Sequence, residues 1–287
     1  MMMAGAPPLE VTPLDVMRGM VAGQGAMQVP GPDMTVTDVA DARVRVYRPE
    51  SAVPLPVIIA MHGGGFVAGN LETLDPTCRR FAAEVGAVVV NLDYRLAPEH
   101  PHPAAVNDTV DAVTWVSQNI ADFGGDPSRI ALLGESAGAN LAAVATRKHG
   151  EAGTGVTAQA LLYPVVDGEI DTPSKHEFMF GPFLSIAAAD RFWKEYMQGQ
   201  PNTADASPLR ATNLGDSPRT LLITMGSDPL RDEGELYVAK LREAGVDVEH
   251  ERFDGLMHAT YTFSAMIPAA QGIHERIVKY LGDVFAR

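Results

Sequence analysis

The residues best suited to chemistry lie near the middle of the chain, in the stretch Gly134-Glu135-Ser136-Ala137-Gly138, which fits the pattern Gly-x-Ser-x-Gly. An apolar run at residues 130–133 precedes this stretch, and Ala-rich helix-forming residues follow it. A serine on a sharp turn between a strand and a helix leaves no room for a Cβ nearby, so glycines are favoured on both sides. Serine between glycines also occurs in ordinary loops, but the flanking strand and helix indicate a nucleophile elbow that exposes Ser136 Oγ.

A second glycine-rich stretch, His62-Gly63-Gly64-Gly65-Phe66, follows an apolar run at residues 56–61. Such a run is typical of a strand that is buried on both faces. Three successive glycines cost backbone entropy, so the stretch is either a flexible loop or a loop whose backbone must approach something closely. Backbone N–H groups that approach a substrate oxygen stabilise developing negative charge. We therefore interpret the glycines as an oxyanion hole, and His62 as a structural hydrogen-bonding residue rather than a catalytic base.

Two more candidates follow later predicted strands, the first an apolar run and the second alternating in polarity. Asp228 comes directly after a strand predicted at residues 220–225, and His258 follows one predicted at residues 246–253. Histidine, whose unperturbed pKa is about 6.5, can accept the serine proton near neutral pH, and a carboxylate can orient the imidazole. The chain order serine, acid, histidine is the one found in α/β-hydrolases. Asp232 and Glu233 remain rivals for the acid, although both lie at a helix start, where carboxylates also satisfy free N–H groups.

These residues need a scaffold, and the alternation of strand and helix patterns predicts a mainly parallel, doubly wound α/β sheet. Residues 41–47 alternate in polarity and predict a half-exposed edge strand. We expect the other strands at residues 56–61, 87–93, 130–133, 157–163, 220–225 and 246–253, and helices at 14–24, 76–85, 104–123, 185–199, 235–244 and 269–285.

Two regions outside this alternation are expected to cover the site. Residues 1–35 predict an N-terminal arm, and residues 167–218 a long insertion without a clear strand, both attached to a catalytic domain at 36–287. Long insertions between strands are usually functional, and ligands bind at the carboxyl ends of parallel strands. The aromatic side chains of the insertion either line the pocket or only anchor the cap. The candidate pocket residues are Phe66, Glu135, Phe183, Trp193, Tyr196 and Leu256.

Composition excludes several classes of protein. With 22 basic and 36 acidic residues among 287, the net charge of -14 argues against a nucleic-acid partner or docking on an anionic membrane. No run approaches the roughly 20 apolar residues of a membrane span, and the N-terminus does not have the pattern of a signal peptide, so a cytoplasmic location is expected. Cys78 is the only cysteine, and the eight histidines are scattered, so we expect no metal site.

Five stretches together resemble the hormone-sensitive-lipase-like family of α/β-hydrolases, the bacterial family IV esterases. They are His62-Gly63-Gly64-Gly65, Asp93-Tyr94-Arg95-Leu96-Ala97-Pro98-Glu99, Gly134-Glu135-Ser136-Ala137-Gly138, Ser207-Pro208-Leu209 and Asp228-Pro229-Leu230. The resemblance runs from about residue 57 to the C-terminus. It implies an eight-stranded sheet with helices on both faces and a small helical cap, and a cofactor-free carboxylesterase for short-to-medium acyl esters. It also implies a homodimer through the last strand or helix, and an oxyanion hole formed by the N–H groups of Gly63 or Gly64, Gly65 and Ala137.

The chain departs from that family at two positions. Glu135 stands where the family commonly has aspartate, and Ala259-Thr260 follow His258 where it commonly has Gly-Phe. These departures bear on substrate preference more than on the catalytic groups. Deacetylation or amide hydrolysis on the same three residues stays open, and so does a non-catalytic small-molecule receptor, although such receptors typically lose the base and this chain has His258.

Overall fold

The computed structural model describes residues 8–151 and 155–286, so the first seven residues of the expected arm lie outside the described residues. The strands are β1 (Thr35–Val39), β2 (Val44–Arg48), β3 (Leu55–Met61), β4 (Val88–Leu92), β5 (Gly125–Glu135), β6 (Val156–Leu162), β7 (Arg219–Ser227) and β8 (Val248–Met257). The helices are α1 (Leu14–Ala22), α2 (Leu71–Phe81), α3 (Ala104–Asn119), α4 (Ala137–Glu151), α5 (Pro173–Glu177), α6 (Ile186–Met197), α7 (Arg231–Glu243) and α8 (Ala270–Phe285).

All the described strands join one sheet in the order β1-β2-β4-β3-β5-β6-β7-β8. The pairs β1·β2 and β2·β4 are antiparallel, and the pairs from β4 to β8 are parallel. The carboxyl ends of β3, β5, β7 and β8 therefore lie along one edge of the sheet. The prediction of a mainly parallel eight-stranded sheet with helices on both faces is confirmed.

The central strands are buried on both faces because their side chains alternate between two apolar cores. In β3, Val57 and Ile59 join the core beneath α3 and α4, whereas Ile58 and Ala60 join the core beneath α2 and α8. This arrangement explains the uninterrupted apolar run in the sequence. It also fixes the strand register, since a slip by one residue would exchange the two sets of side chains.

The predicted edge strand is wrong. Strand β2, which overlaps residues 41–47, lies between β1 and β4, and its Val44, Val46 and Tyr47 are buried. The edge is β1, whose five residues are mostly exposed and carry no strong apolar pattern. The polarity pattern of residues 35–39 therefore does not indicate the strand that pairs with β2 at the edge of the sheet.

Two helices begin earlier than their apolar patterns indicate. We expected the helix at residues 76–85 to start at a proline, yet α2 starts at Leu71, because Asn70 and Thr73 form a reciprocal capping box with each other's backbone N–H groups. Helix α7 begins at Arg231 rather than at residue 235, and the short helix α5 in the insertion was not predicted. End-capping by side chains, rather than periodicity, decides where α2 begins.

An arginine on α1 connects the arm to two loops at the carboxyl edge of the sheet. Arg18 Nε donates to Val67 O at 2.8 Å, and its Nη2 donates to Ala97 O at 3.0 Å. The same guanidinium forms a bidentate ion pair with Glu99. Arg18 thereby links α1 to the loops that follow β3 and β4.

Replacing Arg18 by Ala is expected to lower the free energy of unfolding by about 1–2 kcal/mol, because two carbonyl acceptors lose a charged donor that is only partly screened by solvent. Urea denaturation measures this loss, and limited proteolysis should show earlier cleavage within residues 8–35. The matched control is Arg252→Ala. In the described part of the chain, Arg252 pairs with the surface carboxylates of Glu235 and Asp254, so its loss should change stability little. Equal effects of the two variants would contradict the role of Arg18.

Among the residues that the structure describes, no helix is both long enough and apolar enough to cross a membrane.

Candidate active site

The serine turn explains both of its glycines sterically. Ser136 lies between the end of β5 and the start of α4, with a φ of 52°. A Cβ on Gly134 would lie 2.2 Å from Gly138 O, and a Cβ on Gly138 would lie 2.2 Å from Met61 O. Since no side chain fits at either position, the Gly-x-Ser-x-Gly pattern is a packing requirement of the turn.

The three catalytic candidates meet at the carboxyl edge of the sheet. Ser136 Oγ lies 2.9 Å from His258 Nε2, and His258 Nδ1 lies 2.8 Å from Asp228 Oδ2. The other carboxylate oxygen, Asp228 Oδ1, accepts a hydrogen bond from Leu230 N at 2.8 Å. Asp228 and His258 are 0% and 3% exposed. A buried carboxylate on Nδ1 selects the tautomer with the proton on Nδ1, which leaves Nε2 free to accept the serine proton.

The rival acids have other partners. Asp232 Oδ2 accepts a hydrogen bond from Ser174 N at 2.7 Å, so it holds the start of α5 against α7. Glu233 Oε1 accepts from Val166 N at 2.8 Å, and its Oε2 lies 3.0 Å from Lys175 Nζ. Burial raises the pKa of Glu233 to about 7. Only Asp228, of the three acids considered, contacts His258.

The glycine loop presents its backbone to the serine. Gly64 and Gly65 have φ values of 122° and 62°, and a Cβ on them would lie 2.1 Å from Ala68 O and 2.5 Å from the Phe192 ring. Gly63 differs from them, because its N–H already donates to Glu135 Oε1 at 3.3 Å. In residues 8–151 and 155–286, no protein oxygen accepts a hydrogen bond from the N–H of Gly64, Gly65 or Ala137. The Gly63 N–H is therefore already engaged by Glu135, whereas the N–H groups of Gly64, Gly65 and Ala137 are available to a bound oxygen atom.

His62 supports this loop from below. Its ring is fully buried and stacks on Tyr94 with a centroid distance of 4.3 Å, and Nδ1 lies 2.7 Å from Gly63 O. Tyr94 also donates its hydroxyl to His62 O at 2.9 Å. Burial lowers the pKa of His62 to about 4. These contacts agree with the structural role inferred from the sequence.

The neutral His62 has a consequence for stability. An unfolded histidine titrates near 6.5, so between pH 6.5 and about 4 the unfolded chain binds a proton that the folded chain excludes. We expect the free energy of unfolding to fall over this range, with His62 contributing up to roughly 3 kcal/mol of the loss. Denaturation of the protein and of His62→Asn at several pH values measures it. Parallel pH profiles of the two proteins would contradict the assignment.

Glu135 connects three parts of the site. Its Oε2 accepts a hydrogen bond from Tyr163 Oη at 2.7 Å, while Oε1 receives the Gly63 N–H. Burial raises the pKa of Glu135, and the ring of Tyr163 packs edge-on against His258 at 5.0 Å. Glu135 thus connects the serine turn to the glycine loop and, through Tyr163, to His258.

One cavity lies above these groups. Ser136, His258 and the three loop glycines form its floor, and four of the expected pocket residues, Phe66, Glu135, Phe183 and Trp193, line it. Further lining residues that the sequence analysis did not identify are Met17, Met20 and Val21 of α1, Tyr163 after β6, and Lys175 of α5. The apolar, Met-containing arm was the available signal for the α1 residues. Tyr163 ends the strand predicted at residues 157–163, which places it at the carboxyl edge of the sheet. Nothing in the pattern around Lys175 distinguishes it from an ordinary loop residue.

Two of the expected pocket residues lie elsewhere. Tyr196 is fully buried behind the wall, where it stacks on Phe66 at 3.8 Å and its hydroxyl lies 3.1 Å from His102 Nδ1. Leu256 packs against the core beneath α2 and α8. Tyr196 therefore positions Phe66 instead of touching a ligand, which is the anchoring role that the sequence left open for the cap aromatics.

Unusual backbone conformations concentrate around the cavity. Seven non-glycine residues in the described part of the chain have positive φ values, and five of them line the cavity. The five are Phe66, Ser136, Tyr163, Phe183 and Ala259. Ala259, with φ at 59°, occupies the position after His258 where the resembled family commonly has glycine. Left-handed backbone at a residue with a Cβ costs about 1–2 kcal/mol, so the surrounding packing must hold these conformations.

Comparison with known proteins agrees with this geometry. A family model described as alpha/beta hydrolase fold matches residues 58–262. The carboxylesterase NlhH of Mycobacterium tuberculosis is 39% identical over 240 residues, which cover 81% of this chain and 75% of that protein. An arylesterase of Saccharolobus solfataricus is 33% identical, with 75% and 72% covered. Among solved structures, an esterase of Pyrobaculum calidifontis is 35% identical with a TM-score of 0.89, covering 96% of this chain and 94% of that one.

Proposed function

Because the chain belongs to the alpha/beta-hydrolase fold family, in the hormone-sensitive-lipase-like branch that its motifs resemble, we propose that it is a serine carboxylesterase for short-to-medium acyl esters. The observation that carries this proposal is the continuous hydrogen-bonded chain from Ser136 through His258 to Asp228. Nucleophile, base and orienting acid within hydrogen-bond reach are the arrangement that acyl transfer through a serine requires.

In the proposed reaction, Ser136 Oγ attacks the ester carbonyl carbon while His258 Nε2 accepts the hydroxyl proton. Asp228 stabilises the imidazolium that forms, and His258 then protonates the departing alcohol. An acyl-enzyme on Ser136 remains. His258 next removes a proton from water, which attacks the acyl carbon and releases the acid, so that the serine regains its proton.

We assign the N–H groups of Gly64, Gly65 and Ala137 as the donors that stabilise the negatively charged oxygen of each tetrahedral intermediate. Such groups are already oriented, so they stabilise charge without reorganising during the reaction. Loss of one such donor in other serine hydrolases costs about 3–4 kcal/mol of transition-state stabilisation. The Ala137 N–H also lies at the first residue of α4, where the helix dipole favours an anion.

The cavity supports a preference for apolar chains, and the short-to-medium length is what the family resemblance implies. Its upper wall comes from α1 and from the segment containing α6, which we assign to a cap built from residues 8–35 and 167–218. Side chains of both segments, including Met17, Met20, Phe192 and Trp193, line the same cavity as Ser136. The cap can then exclude water from the acyl-enzyme while leaving the ester carbonyl on the sheet edge.

The direct test is hydrolysis of p-nitrophenyl esters of increasing acyl length, with Ser136→Ala as the control. We expect turnover that the substitution removes and that peaks at short-to-medium chains. A matched series of p-nitroanilides tests amide hydrolysis on the same residues. Folded protein that cleaves no ester, or that cleaves anilides faster than esters, would overturn the proposal.

A homodimer through β8 or α8 and a cytoplasmic location stay predictions. Size-exclusion chromatography with light scattering tests the first, and fractionation of the source cells tests the second.

A further inference from the structure

A cationic side chain lies in the wall of the mainly apolar cavity. Lys175, on the short helix α5, lines the cavity with a side chain that is 12% exposed. Its Nζ donates to Ile170 O at 2.7 Å and lies 3.0 Å from Glu233 Oε2. The proposed ester chemistry uses neither Lys175 nor Glu233, so the presence of Lys175 in the cavity wall, paired with a buried carboxylate behind it, needs another explanation.

The pair is held firmly. Glu233 is 0% exposed, and its Oε1 accepts hydrogen bonds from Val166 N at 2.8 Å and Asp167 N at 3.3 Å. The carboxylate is therefore fixed by the backbone that leaves β6, and it fixes the ammonium opposite. Burying an ion pair is costly and adds little stability in itself, so such a pair is better explained by a specific task.

An ammonium group has three N–H donors. In the part of the chain that the structure describes, Lys175 makes one hydrogen bond, to Ile170 O, and its contact with Glu233 Oε2 is an ion pair without hydrogen-bond geometry. A donor is therefore left for a ligand in the cavity. Above its pKa of about 7, Glu233 supplies the countercharge of Lys175, and exposed Asp190 adds a negative charge to the lining. At such pH a neutral oxygen fits this donor better than a carboxylate.

We propose that Lys175 forms a polar subsite for an oxygen atom remote from the scissile ester. The inference rests on the proposed esterase function and narrows its substrate class to esters whose acyl or alcohol chain carries a keto, hydroxyl or ether oxygen. Lys175 binds that oxygen as a hydrogen-bond donor, and the apolar wall binds the rest of the chain. The subsite thereby selects oxygenated chains over plain hydrocarbon chains of equal length.

The test compares matched esters on Lys175→Met, which keeps an unbranched side chain but removes the charge and the donors. One series carries an ether oxygen at successive positions of the acyl chain of a p-nitrophenyl ester, a second carries it in the alcohol, and each has a hydrocarbon counterpart. We expect the ratio of kcat/KM, oxygenated over hydrocarbon, to fall about tenfold in Lys175→Met at one oxygen position, as loss of a hydrogen bond to a charged donor implies. Lys279→Met, on the exposed face of α8, is the control and should leave every ratio unchanged.

Equal losses of kcat/KM on the oxygenated ester and on its hydrocarbon counterpart leave their ratio unchanged. Such a result for every pair would assign Lys175 a purely structural role and overturn the inference. The hydrocarbon esters keep the two claims apart, because their hydrolysis by the wild-type protein tests the esterase proposal alone.

Glu233→Gln gives a second test that does not depend on the folding of Lys175→Met. The amide oxygen can still accept from Val166 and Asp167, but the countercharge of Lys175 is gone. Esters with a terminal carboxylate should then gain about tenfold in kcat/KM relative to the oxygenated neutral esters, since an unneutralised ammonium favours an anion. No gain for the carboxylate esters would contradict a Lys175 donor that reaches the substrate.

Discussion

Ser136→Ala should lower kcat on p-nitrophenyl esters by a factor of about 10⁶, the loss seen when the nucleophile of a serine hydrolase is removed. The remaining side chains bind the ester but supply no nucleophile, and His258 then has no hydroxyl to deprotonate. A residual rate above the uncatalysed reaction should persist, because the N–H groups of Gly64, Gly65 and Ala137 still bind the developing oxyanion.

The loss must be chemical rather than structural to support the assignment. The Ser136 side chain contacts His258 at the edge of the cavity, and the turn is held by backbone bonds such as Ser136 N to Leu162 O at 2.9 Å. Denaturation should therefore give the same free energy of unfolding for both proteins to within a few tenths of a kcal/mol. A folded variant that retains a tenth of the activity would remove Ser136 from the mechanism.

Asp228→Asn is the second large effect, with kcat expected to fall by about 10⁴. The asparagine amide occupies the same volume but can donate to His258 Nδ1, which favours the wrong tautomer and leaves the imidazolium without a countercharge. Some activity should remain, because His258 is still present as a base. Raising the pH will not restore it, since the defect lies in tautomer and orientation.

Asp232→Asn is the matched control for this assignment. Asp232 lies four residues further along and bonds to Ser174 N and Arg231 Nε, away from His258. Its substitution should change kcat by less than about tenfold, acting only through the position of α5. If Asp232→Asn were the more damaging of the two, the acid would have to be reassigned.

The three candidate catalytic residues could be identified from the sequence because their spacing follows from the fold. Each follows a predicted strand by a few residues, and parallel strands bring such positions to one edge of the sheet. The two glycines of the serine turn could be read for the same reason, since a Cβ at either would collide with backbone. The architecture followed from the alternation of strand and helix patterns, and family membership followed from motif spacing.

The remaining features depend on contacts that a linear pattern does not encode. The use of the Gly63 N–H by Glu135 is a side-chain contact between residues 72 positions apart in the chain. Tyr196 and Trp193 share one helix, yet the first is stacked behind Phe66 and the second reaches the cavity, which only the packing angle of α6 decides. Lys175 reaches the cavity from a five-residue helix that no periodicity marks. Tertiary packing rather than local preference settles all three.

The left-handed residues around the cavity limit how far the thermal stability of the protein can be raised without loss of activity. Screens for heat resistance select substitutions that relax an unfavourable backbone conformation. Five such positions in the described residues, Ala259 among them, line the cavity that we assign to the ester. Selection on temperature alone will therefore favour variants that turn over slowly, since the gain and the damage fall on the same residues. Among the described non-glycine residues, Arg43 and Gln198 are the two left-handed positions away from the cavity, and there thermal tolerance can rise without that penalty.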